Sequence, residues 1–503
     1  MPAKESGKKE NKTDHWSGKS IQTSQNRTLS TSRLVSNRML KPLSTNALYL
    51  FISDAGARLL GFLATVHIAR SLENEYFGLI ILAMSVLGYA QWFADMGLTT
   101  LGTRELARPF PLRSFQLSDI LIIRLILALL VFSVVQVALF ALPLSPPLKL
   151  LIRLYTLFLL VDSFLLEWYC RAIQKYQALA ISRWLSGLIY LGGIFIWVHS
   201  PVDFYRVPLI YLSGQLVGAL SLFFWKKEED KIFSKPIRPF SWLDILKSAF
   251  QIGIASILAQ SIHLLPPLIL GSLSTTGNVG LYGAAFKIIL IIQVIDRIFG
   301  ALFLPKISQQ WALKSQRLPE NLNLTLHLGI WFTLSVGVLL YFFAPSIVDL
   351  IYGAKYQEST LLLRILSFFI PLAITNSIFT FTLIAAGRER PYLQAMMRGS
   401  SVAVLLITGF TLWAGAWGTA LGVVLGEAAI VFFVYRQFSQ LVSLPSQNLL
   451  LKALIYTATF VGVRQLLPAF PIWSAPILWC IFMGGVFFIG DLEWRKIKGL
   501  FIE

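Results

Sequence analysis

Apolar residues form long, nearly unbroken runs from Ala47 to Ile489, and short polar or basic segments separate one run from the next. A bilayer core about 30 Å thick requires roughly 20 mostly apolar residues per helical span. The pattern therefore predicts fourteen membrane-spanning helices. Their approximate bounds are 47–70, 77–101, 119–142, 148–169, 178–198, 205–225, 245–270, 279–304, 324–348, 361–385, 393–414, 417–435, 450–467 and 473–490.

The composition agrees with this class of protein. Of the 503 residues, 56% are hydrophobic and 14% are charged, whereas soluble globular proteins carry about 25% charged residues. Proline interrupts some of the spans, as at Pro266, Pro267 and Pro371. Membrane helices tolerate such residues because neighbouring groups satisfy the freed backbone. The sequence therefore predicts an all-α integral membrane protein.

The excess of basic residues is distributed unevenly between the loops. The formal net charge of +18 would by itself be compatible with nucleic-acid binding. Lys and Arg are instead concentrated in the N-terminal tail and in every second loop, and segments 71–76, 271–278 and 415–416 contain none. This is the positive-inside pattern. It predicts a multi-pass protein of the cytoplasmic membrane with both termini in the cytoplasm, and it argues against a nucleic-acid partner.

Two stretches of similar sequence suggest an internal repeat, which is common in transporters. The matching positions are Ser71, Gly78 and Asp95 in the first hairpin and Ser272, Gly280 and Asp296 in helices 7 and 8. Coincidence among common small residues is the alternative. We predict five units along the chain. They are a disordered basic cytoplasmic tail at 1–44, a six-helix lobe at 45–225, a cytoplasmic linker at 226–244, a second six-helix lobe at 245–440, and two additional helices with a basic cytoplasmic tail at 441–503.

Several ionisable residues fall inside the predicted spans, where each costs about 2.5–3.5 kcal/mol on insertion scales. Arg58 in helix 1 and Lys287 in helix 8 lie near mid-depth, one in each predicted lobe. Cations lining a shared cavity would attract an anionic substrate such as a phosphate or diphosphate. The predicted substrate-binding cations are Arg58, Lys287 and Arg297. The acids that could couple an ion or hold helices together are Asp54, Asp95, Asp296 and Glu427.

Internal pairing is the structural alternative for these charges. Asp54 and Arg58 are four residues apart, so they share a helical face and can pair. Lys287 has no acidic residue within one helical turn, which favours a role in a cavity. Three further arginines lie near span ends, where long side chains can snorkel to the interface. These are Arg124, Arg153 and Arg364.

The sequence carries no signature of a metal, cofactor or nucleotide site. Cys170 and Cys480 are far apart, and no two histidines are four residues apart, as they are on a metal-binding helix face. We find no Gly-rich phosphate loop ending in Gly-Lys-Ser/Thr. We therefore predict no metal, no cofactor and no catalytic residue.

Ten short sequence segments follow one another along residues 45–440. They are IARSL at 68–72, YFG at 76–78, ADMGL at 94–98, RELAR at 104–108, SW at 241–242, VGLYGAAFK at 279–287, LPKIS at 304–308, IYGAKY at 351–356, AGR at 386–388 and GAWGTA at 415–420. Together they resemble the polysaccharide translocases, the lipid-linked oligosaccharide flippases of the multidrug/oligosaccharidyl-lipid/polysaccharide exporter superfamily. The resemblance implies a V-shaped fold of two lobes and a cation-lined cavity, with which Arg58 and Lys287 are consistent.

The resemblance also implies a function. A non-enzymatic flippase would turn a polyprenyl-diphosphate-linked oligosaccharide from the cytoplasmic to the outer face by alternating access. Its expected partners are that lipid-linked oligosaccharide, membrane lipids and other polysaccharide assembly proteins. A cation-coupled multidrug exporter is the alternative, for which Asp54, Asp95 and Glu427 would supply an acidic cavity. A membrane glycosyltransferase or polysaccharide polymerase is disfavoured, since the predicted outer loops are short.

Overall fold

The computed structural model describes residues 49, 52–108, 117–225, 242–313 and 316–442. Within α10 and α12, as bounded below, it leaves some side chains undescribed. These are at 251–252, 255–256, 259, 295, 297–299, 301–302 and 304–306. The predicted N-terminal tail, nearly all of the predicted linker and the two predicted C-terminal helices lie outside the described residues.

All regular structure in the described segments is helical. The first helix, α1, spans 52–71. The others are α2 (Asn74–Asp95), α3 (Leu98–Leu106), α4 (Leu117–Ala141), α5 (Pro146–Thr156), α6 (Phe158–Ser163), α7 (Glu167–Ala172), α8 (Tyr176–Trp197), α9 (Arg206–Phe223), α10 (Trp242–Leu273), α11 (Thr276–Ile292), α12 (Val294–Ala312), α13 (Leu318–Tyr352), α14 (Ser359–Leu366), α15 (Phe369–Ala385) and α16 (Glu389–Phe438). Short 3-10 turns occupy Pro201–Tyr205 and Ala354–Tyr356.

Seven of the described helical segments are long and apolar enough to cross a membrane. On α4, Val134, Val137 and Phe140 recur every three residues, and Phe140 is 78% exposed. A long apolar stripe that no protein group covers faces lipid. The chain is an all-α, multi-pass integral membrane protein, as predicted. The total of fourteen spans stays a prediction, because the last two lie outside the described residues.

Four predicted spans are interrupted in the structure, which corrects their description as single helices. The span 77–101 is divided between α2 and α3. The span 148–169 contains α5, α6 and the start of α7, the span 279–304 is divided between α11 and α12, and the span 361–385 between α14 and α15. The last break has a local cause. Pro371 has no N–H, and its ring clashes with the carbonyl four residues earlier. The chain turns instead through a 3.3 Å hydrogen bond from the N–H of Phe368 to the carbonyl of Ile365.

The hairpin predicted at 415–416 lies within one residue of the break in α16. Ala414 and Gly415 leave the helical conformation, and Gly415 has a φ of 57°, which L side chains rarely adopt. The two arms then run side by side, and the hydroxyls of Thr411 and Thr419 are 2.9 Å apart. The sequence thus located this turn from a short interruption of the apolar pattern.

The helices before and after the stretch 226–241, which we call the first and second groups, meet along α2 and α11. A Cβ added at Gly78 would collide with the carbonyl of Thr276, and one added at Gly280 with the carbonyl of Asn74. Asn74 and Thr276 are the first residues of α2 and α11, so the contact is reciprocal. Reciprocity is what two units related by a two-fold axis would give. The boundaries of the two lobes themselves stay a prediction.

Candidate substrate cavity

The first cavity lies between α1, α8, α9 and α11 and has a volume of about 400 Å³. Residues that line it from α1 recur every three or four positions, which places them on one helical face. They are Asp54, Ala57, Arg58, Gly61, Phe62 and Thr65. The opposite wall includes Arg183 of α8 and Lys287 of α11. The cavity therefore draws on both groups of helices.

Five charged side chains line this cavity. Asp54 accepts hydrogen bonds from Nε of Arg58 at 3.1 Å and from Nη1 of Arg183 at 3.3 Å. Arg183 also donates to both carboxylate oxygens of Glu167, at 2.9 and 2.6 Å. Among the described residues, Lys287 has no ion-pair or hydrogen-bond partner. Three cations thus face two carboxylates, which leaves one positive charge uncompensated.

A second cavity of about 470 Å³ adjoins the first, and Arg58 and Leu290 line both. Its wall includes Asp296 and Glu427. Glu427 is 3% exposed and accepts a 2.9 Å hydrogen bond from Nδ2 of Asn376. Arg58 therefore stands where a cationic compartment meets an acidic one. In the part of the chain that the structure describes, no group of three His, Cys, Asp or Glu side chains is placed to hold a metal ion.

The carboxylate of Asp95 is hydrogen-bonded to groups at the start of α3. It accepts hydrogen bonds from the backbone N–H groups of Gly97 and Thr99, both at 3.2 Å, and from the Thr99 hydroxyl at 2.9 Å. These bonds satisfy the first N–H groups of α3, which have no partner within the helix. Of the two roles predicted for Asp95, the geometry supports helix pairing rather than ion coupling. The side chain of Arg297 is not described, so its place in the cavity stays a prediction.

Arg124 is buried, which shows that the expectation of snorkelling was wrong for this residue. It is 3% exposed, with Nη2 2.9 Å from Asp162 and Nε 3.5 Å from Asp95. The three charges join α2, α4 and α6. Position near a predicted span end did not reveal this, because the acidic partners come from other helices.

Sequence reasoning also missed Arg183, which joins Asp54 to Glu167 inside the first cavity. The one available signal was a lone arginine within the predicted span 178–198. Arg183 and Asp54 are 129 residues apart in the chain, so no local spacing identifies the pair. By contrast, the predicted pair of Asp54 and Arg58 is confirmed.

The two groups of helices are joined at the end of the bundle where α2 begins, which we call the Asn74 end. Arg70 donates hydrogen bonds to the carbonyls of Leu350 and Ile351, the latter at 2.8 Å. Nδ2 of Asn74 donates to the carbonyl of Lys355 at 3.0 Å. Residues of the first group thus bind the last turn of α13 and the chain that follows it.

The groups are also joined where α2 terminates, which we call the Asp95 end. Nε1 of Trp92 donates a 2.9 Å hydrogen bond to the carbonyl of Gly253 in α10. A Cβ added at Gly253 would collide with the carbonyl of Met96, so the two backbones are in close contact. Described residues therefore bring the two groups of helices into contact at both ends of α2.

Two groups of helices around a charged cavity, in contact at both ends, have the architecture of a helical membrane transporter. The family model described as "Polysaccharide biosynthesis protein" matches residues 43–311, which is more than half of the chain. The chain belongs to that family. The resemblance inferred from the ten short segments is thereby confirmed.

Named relatives agree with this assignment. The chain is 22% identical over 402 residues to the "Putative O-antigen transporter" of Shigella dysenteriae, across 78% of this chain and 99% of that protein. It shares its fold with the lipid II flippase MurJ in an inward closed conformation, with a TM-score of 0.70, 15% identity, and coverage of 90% of this chain and 100% of that one.

A second solved structure with the same fold is an inward-facing multidrug resistance transporter of the MATE family. The TM-score is 0.62 at 17% identity, with coverage of 76% of this chain and 94% of that one. The proteins named in these comparisons are transporters and a flippase, not catalysts. The prediction that this chain is not an enzyme is confirmed on that ground.

Proposed function

We propose that this chain is a flippase that moves a polyprenyl-diphosphate-linked oligosaccharide, the repeat unit of a surface polysaccharide, across the cytoplasmic membrane by alternating access. The observation that carries the proposal is Lys287, which faces Arg58 in a cavity between the two groups of helices and has no acidic partner in the described part of the chain. Two like charges sheltered from bulk water repel each other, so a bound anion stabilises both. A diphosphate has the charge and the compact shape for this position.

The geometry supports a division of the substrate between three environments. The diphosphate lies between Arg58 and Lys287, the sugars occupy the cavities, and the prenyl chain stays in the lipid. Arg183 and Glu167 hold Asp54, which limits how far Asp54 neutralises Arg58. Transport then requires the contacts at the Asp95 end and at the Asn74 end to break in turn. In this proposal the two moving bodies are the predicted lobes 45–225 and 245–440.

The proposed orientation places the Asp95 end and both termini in the cytoplasm. It is supported by the basic residues of the N-terminal tail and of every second loop, since such residues remain on the cytoplasmic side. Fusion of a reporter that is active only in the cytoplasm to each terminus tests it. Activity at both termini is expected, and activity at one alone would overturn the even number of spans. Other polysaccharide assembly proteins are the proposed protein partners.

The substitution pair R58A/K287A tests the proposed site. Purified protein reconstituted into vesicles is supplied with lipid-linked oligosaccharide, and the fraction that reaches the opposite leaflet is measured. We expect the double variant to lose flipping, since both anion partners are removed, while its abundance in the membrane is unchanged. Flipping at the wild-type rate by R58A/K287A would reject the site.

A matched control is R153A, because Arg153 is an exposed arginine whose guanidinium lies 5.4 Å from the centroid of the Phe140 ring, outside both cavities. It removes one positive charge from the protein and leaves the cavity intact. We expect R153A to flip at the wild-type rate. An equal loss in R153A and R58A/K287A would indicate a dependence on overall charge rather than on this site.

A cation-coupled multidrug exporter is the second candidate function, and one observation favours it. The second cavity places Asp296 and Glu427 on a common wall, and carboxylates attract cations. Efflux of a cationic dye from cells with and without the chain distinguishes the two functions. Dye efflux together with no flipping of lipid-linked oligosaccharide by the wild type would support the exporter.

A further inference from the structure

The first cavity changes in chemical character along its length. Arg183 and Tyr190 lie on the same face of α8, seven residues apart, which corresponds to about 10 Å along the helix axis. On α1, Arg58 and Thr65 have the same separation. Beyond the charged end, the lining consists of uncharged side chains. They are Phe62, Thr65, Tyr190, Tyr211 and Gln215.

The aromatic part of this lining is held rigidly. The ring of Tyr211 packs against three others, with centroid distances of 6.0 Å to Tyr155, 5.3 Å to Phe158 and 5.7 Å to Tyr190. Contacts of this kind between tilted or edge-to-face rings are favourable. Tyr211 is therefore fixed before any ligand binds, which lowers the entropic cost of binding against it.

The same region has polar groups that no described residue satisfies. The hydroxyls of Tyr190 and Tyr211 and the side-chain amide of Gln215 have no hydrogen-bond partner in the described part of the chain, although all three side chains line the cavity. Tyr211 and Gln215 are four residues apart on α9 and share a face. A purely apolar ligand would leave these donors and acceptors desolvated and unpaired, which is unfavourable.

We infer that the uncharged end of the first cavity, formed by Tyr190, Tyr211 and Gln215, is the subsite for the sugar ring joined to the diphosphate. A pyranose has a C–H face that packs on an aromatic ring, and hydroxyls that pair with an amide and with phenols. Its neutrality matches the uncharged side chains of these three residues. Along α8, the rise of about 10 Å between Arg183 and Tyr190 suits a ring attached directly to the diphosphate.

This inference rests on the proposed function and adds to it the place and the residues that recognise the sugar. The test is competition binding to the purified full-length protein, with a fluorescent polyprenyl diphosphate as the reporter. The competitors are undecaprenyl diphosphate, the same lipid carrying one glucose, and the same lipid carrying one N-acetylglucosamine. At least one glycosylated lipid is expected to bind the wild type about tenfold more tightly than undecaprenyl diphosphate.

The variants Y211A and Q215L are expected to remove this tenfold advantage and to leave the affinity for undecaprenyl diphosphate unchanged. Y155F is the matched control. The hydroxyl of Tyr155 is buried without a hydrogen-bond partner among the described residues, and Tyr155 is not among the residues that line the cavity. Y155F should therefore keep the advantage.

Two results would overturn the sugar subsite alone. One is equal affinity of the wild type for all three lipids, with binding that still depends on Arg58 and Lys287. The other is a loss in Y211A and Q215L that is as large for undecaprenyl diphosphate as for the glycosylated lipids. Failure of the wild type to bind any of the three lipids would overturn the proposed function together with this inference.

Discussion

At the Asn74 end, Gly78 of α2 packs against the first residue of α11, and Gly280 of α11 packs against the first residue of α2. The carbonyl of Thr276 occupies the space that a Cβ at Gly78 would need, and the carbonyl of Asn74 does the same at Gly280. Because the obstructing atoms belong to backbones, no rotamer change relieves the collision. This pair fixes how closely α2 and α11 approach, and with them the two groups of helices.

The first prediction concerns the close packing of α2 against α11. G78A should destabilise the folded protein by about 1–3 kcal/mol, the usual cost of an added methylene in a packed interior. Thermal unfolding of the purified protein in detergent measures it as a lowered midpoint. G192A is the control, since a Cβ at Gly192 meets nothing within 4 Å and alanine favours a helix interior over glycine. Equal midpoints for G78A and the wild type would contradict the packing described.

The second prediction concerns the Asp95 end. W92F removes the hydrogen bond from Trp92 to Gly253 and keeps an aromatic ring in place. A net hydrogen bond contributes about 0.5–1.5 kcal/mol, so the population open at this end should rise roughly two- to tenfold. The distance between spin labels at R104C and K247C, in a background without native cysteines, reports the opening. W413F, at an exposed tryptophan, should leave the distance distribution unchanged.

The third prediction concerns opening at the other end of the bundle, the Asn74 end. Arg70 binds carbonyls in the last turn of α13, where a helix terminus favours a cation. R70A should weaken the Asn74 end by about 1 kcal/mol, since the side chain is exposed, and open that end roughly fivefold more often. Spin labels at E73C and E358C measure it.

K355A serves as the control for R70A. Lys355 takes part in the contact at the Asn74 end through its backbone carbonyl, which the substitution retains. We therefore expect K355A to keep the wild-type distances. If R70A and W92F opened the same end, the two contacts could not be the opposing gates of an alternating-access cycle.

The fourth prediction concerns Glu427, which lies in the second cavity and accepts a hydrogen bond from Asn376. In E427Q the amide oxygen can still accept that bond, while the negative charge is lost. We expect unchanged thermal stability and loss of any stimulation of flipping by a proton or sodium gradient. N376A removes the hydrogen bond but keeps the negative charge of Glu427, so this variant should retain the stimulation. Gradient dependence that survives in E427Q would leave Glu427 a purely structural role.

The features that sequence alone predicted are those governed by neighbouring positions. The apolar runs predict an integral membrane protein. The four-residue spacing predicts the pair of Asp54 and Arg58, and the two-residue gap between apolar runs predicts the turn near Gly415. Lys287 was singled out because no acid lies within one turn of it, and the structure places it in the first cavity without a partner among the described residues. Each of these depends on helical periodicity or on span length.

What sequence could not predict depends on contacts between distant helices. Arg183 reaches Asp54 and Glu167 across the first cavity, and Arg124 reaches Asp162 from another helix. Position within a span indicates how deep a charge lies, but not whether an opposite charge meets it there. Position alone therefore predicts Arg124 at the interface, whereas the structure shows it buried.

The last prediction tests that buried network. Removing the cation in R124M leaves Asp162 and Asp95 without their buried counter-charge, and breaking a buried pair from one side costs about 3–5 kcal/mol. The midpoint of thermal unfolding in detergent should fall sharply, whereas R153A, at an exposed arginine, should barely change it. R124M/D162N removes the nearest uncompensated carboxylate as well and should recover part of the loss, since the two sites share one interaction. If R124M/D162N were less stable than R124M, the contribution of Asp162 would come from contacts other than the 2.9 Å pair with Arg124.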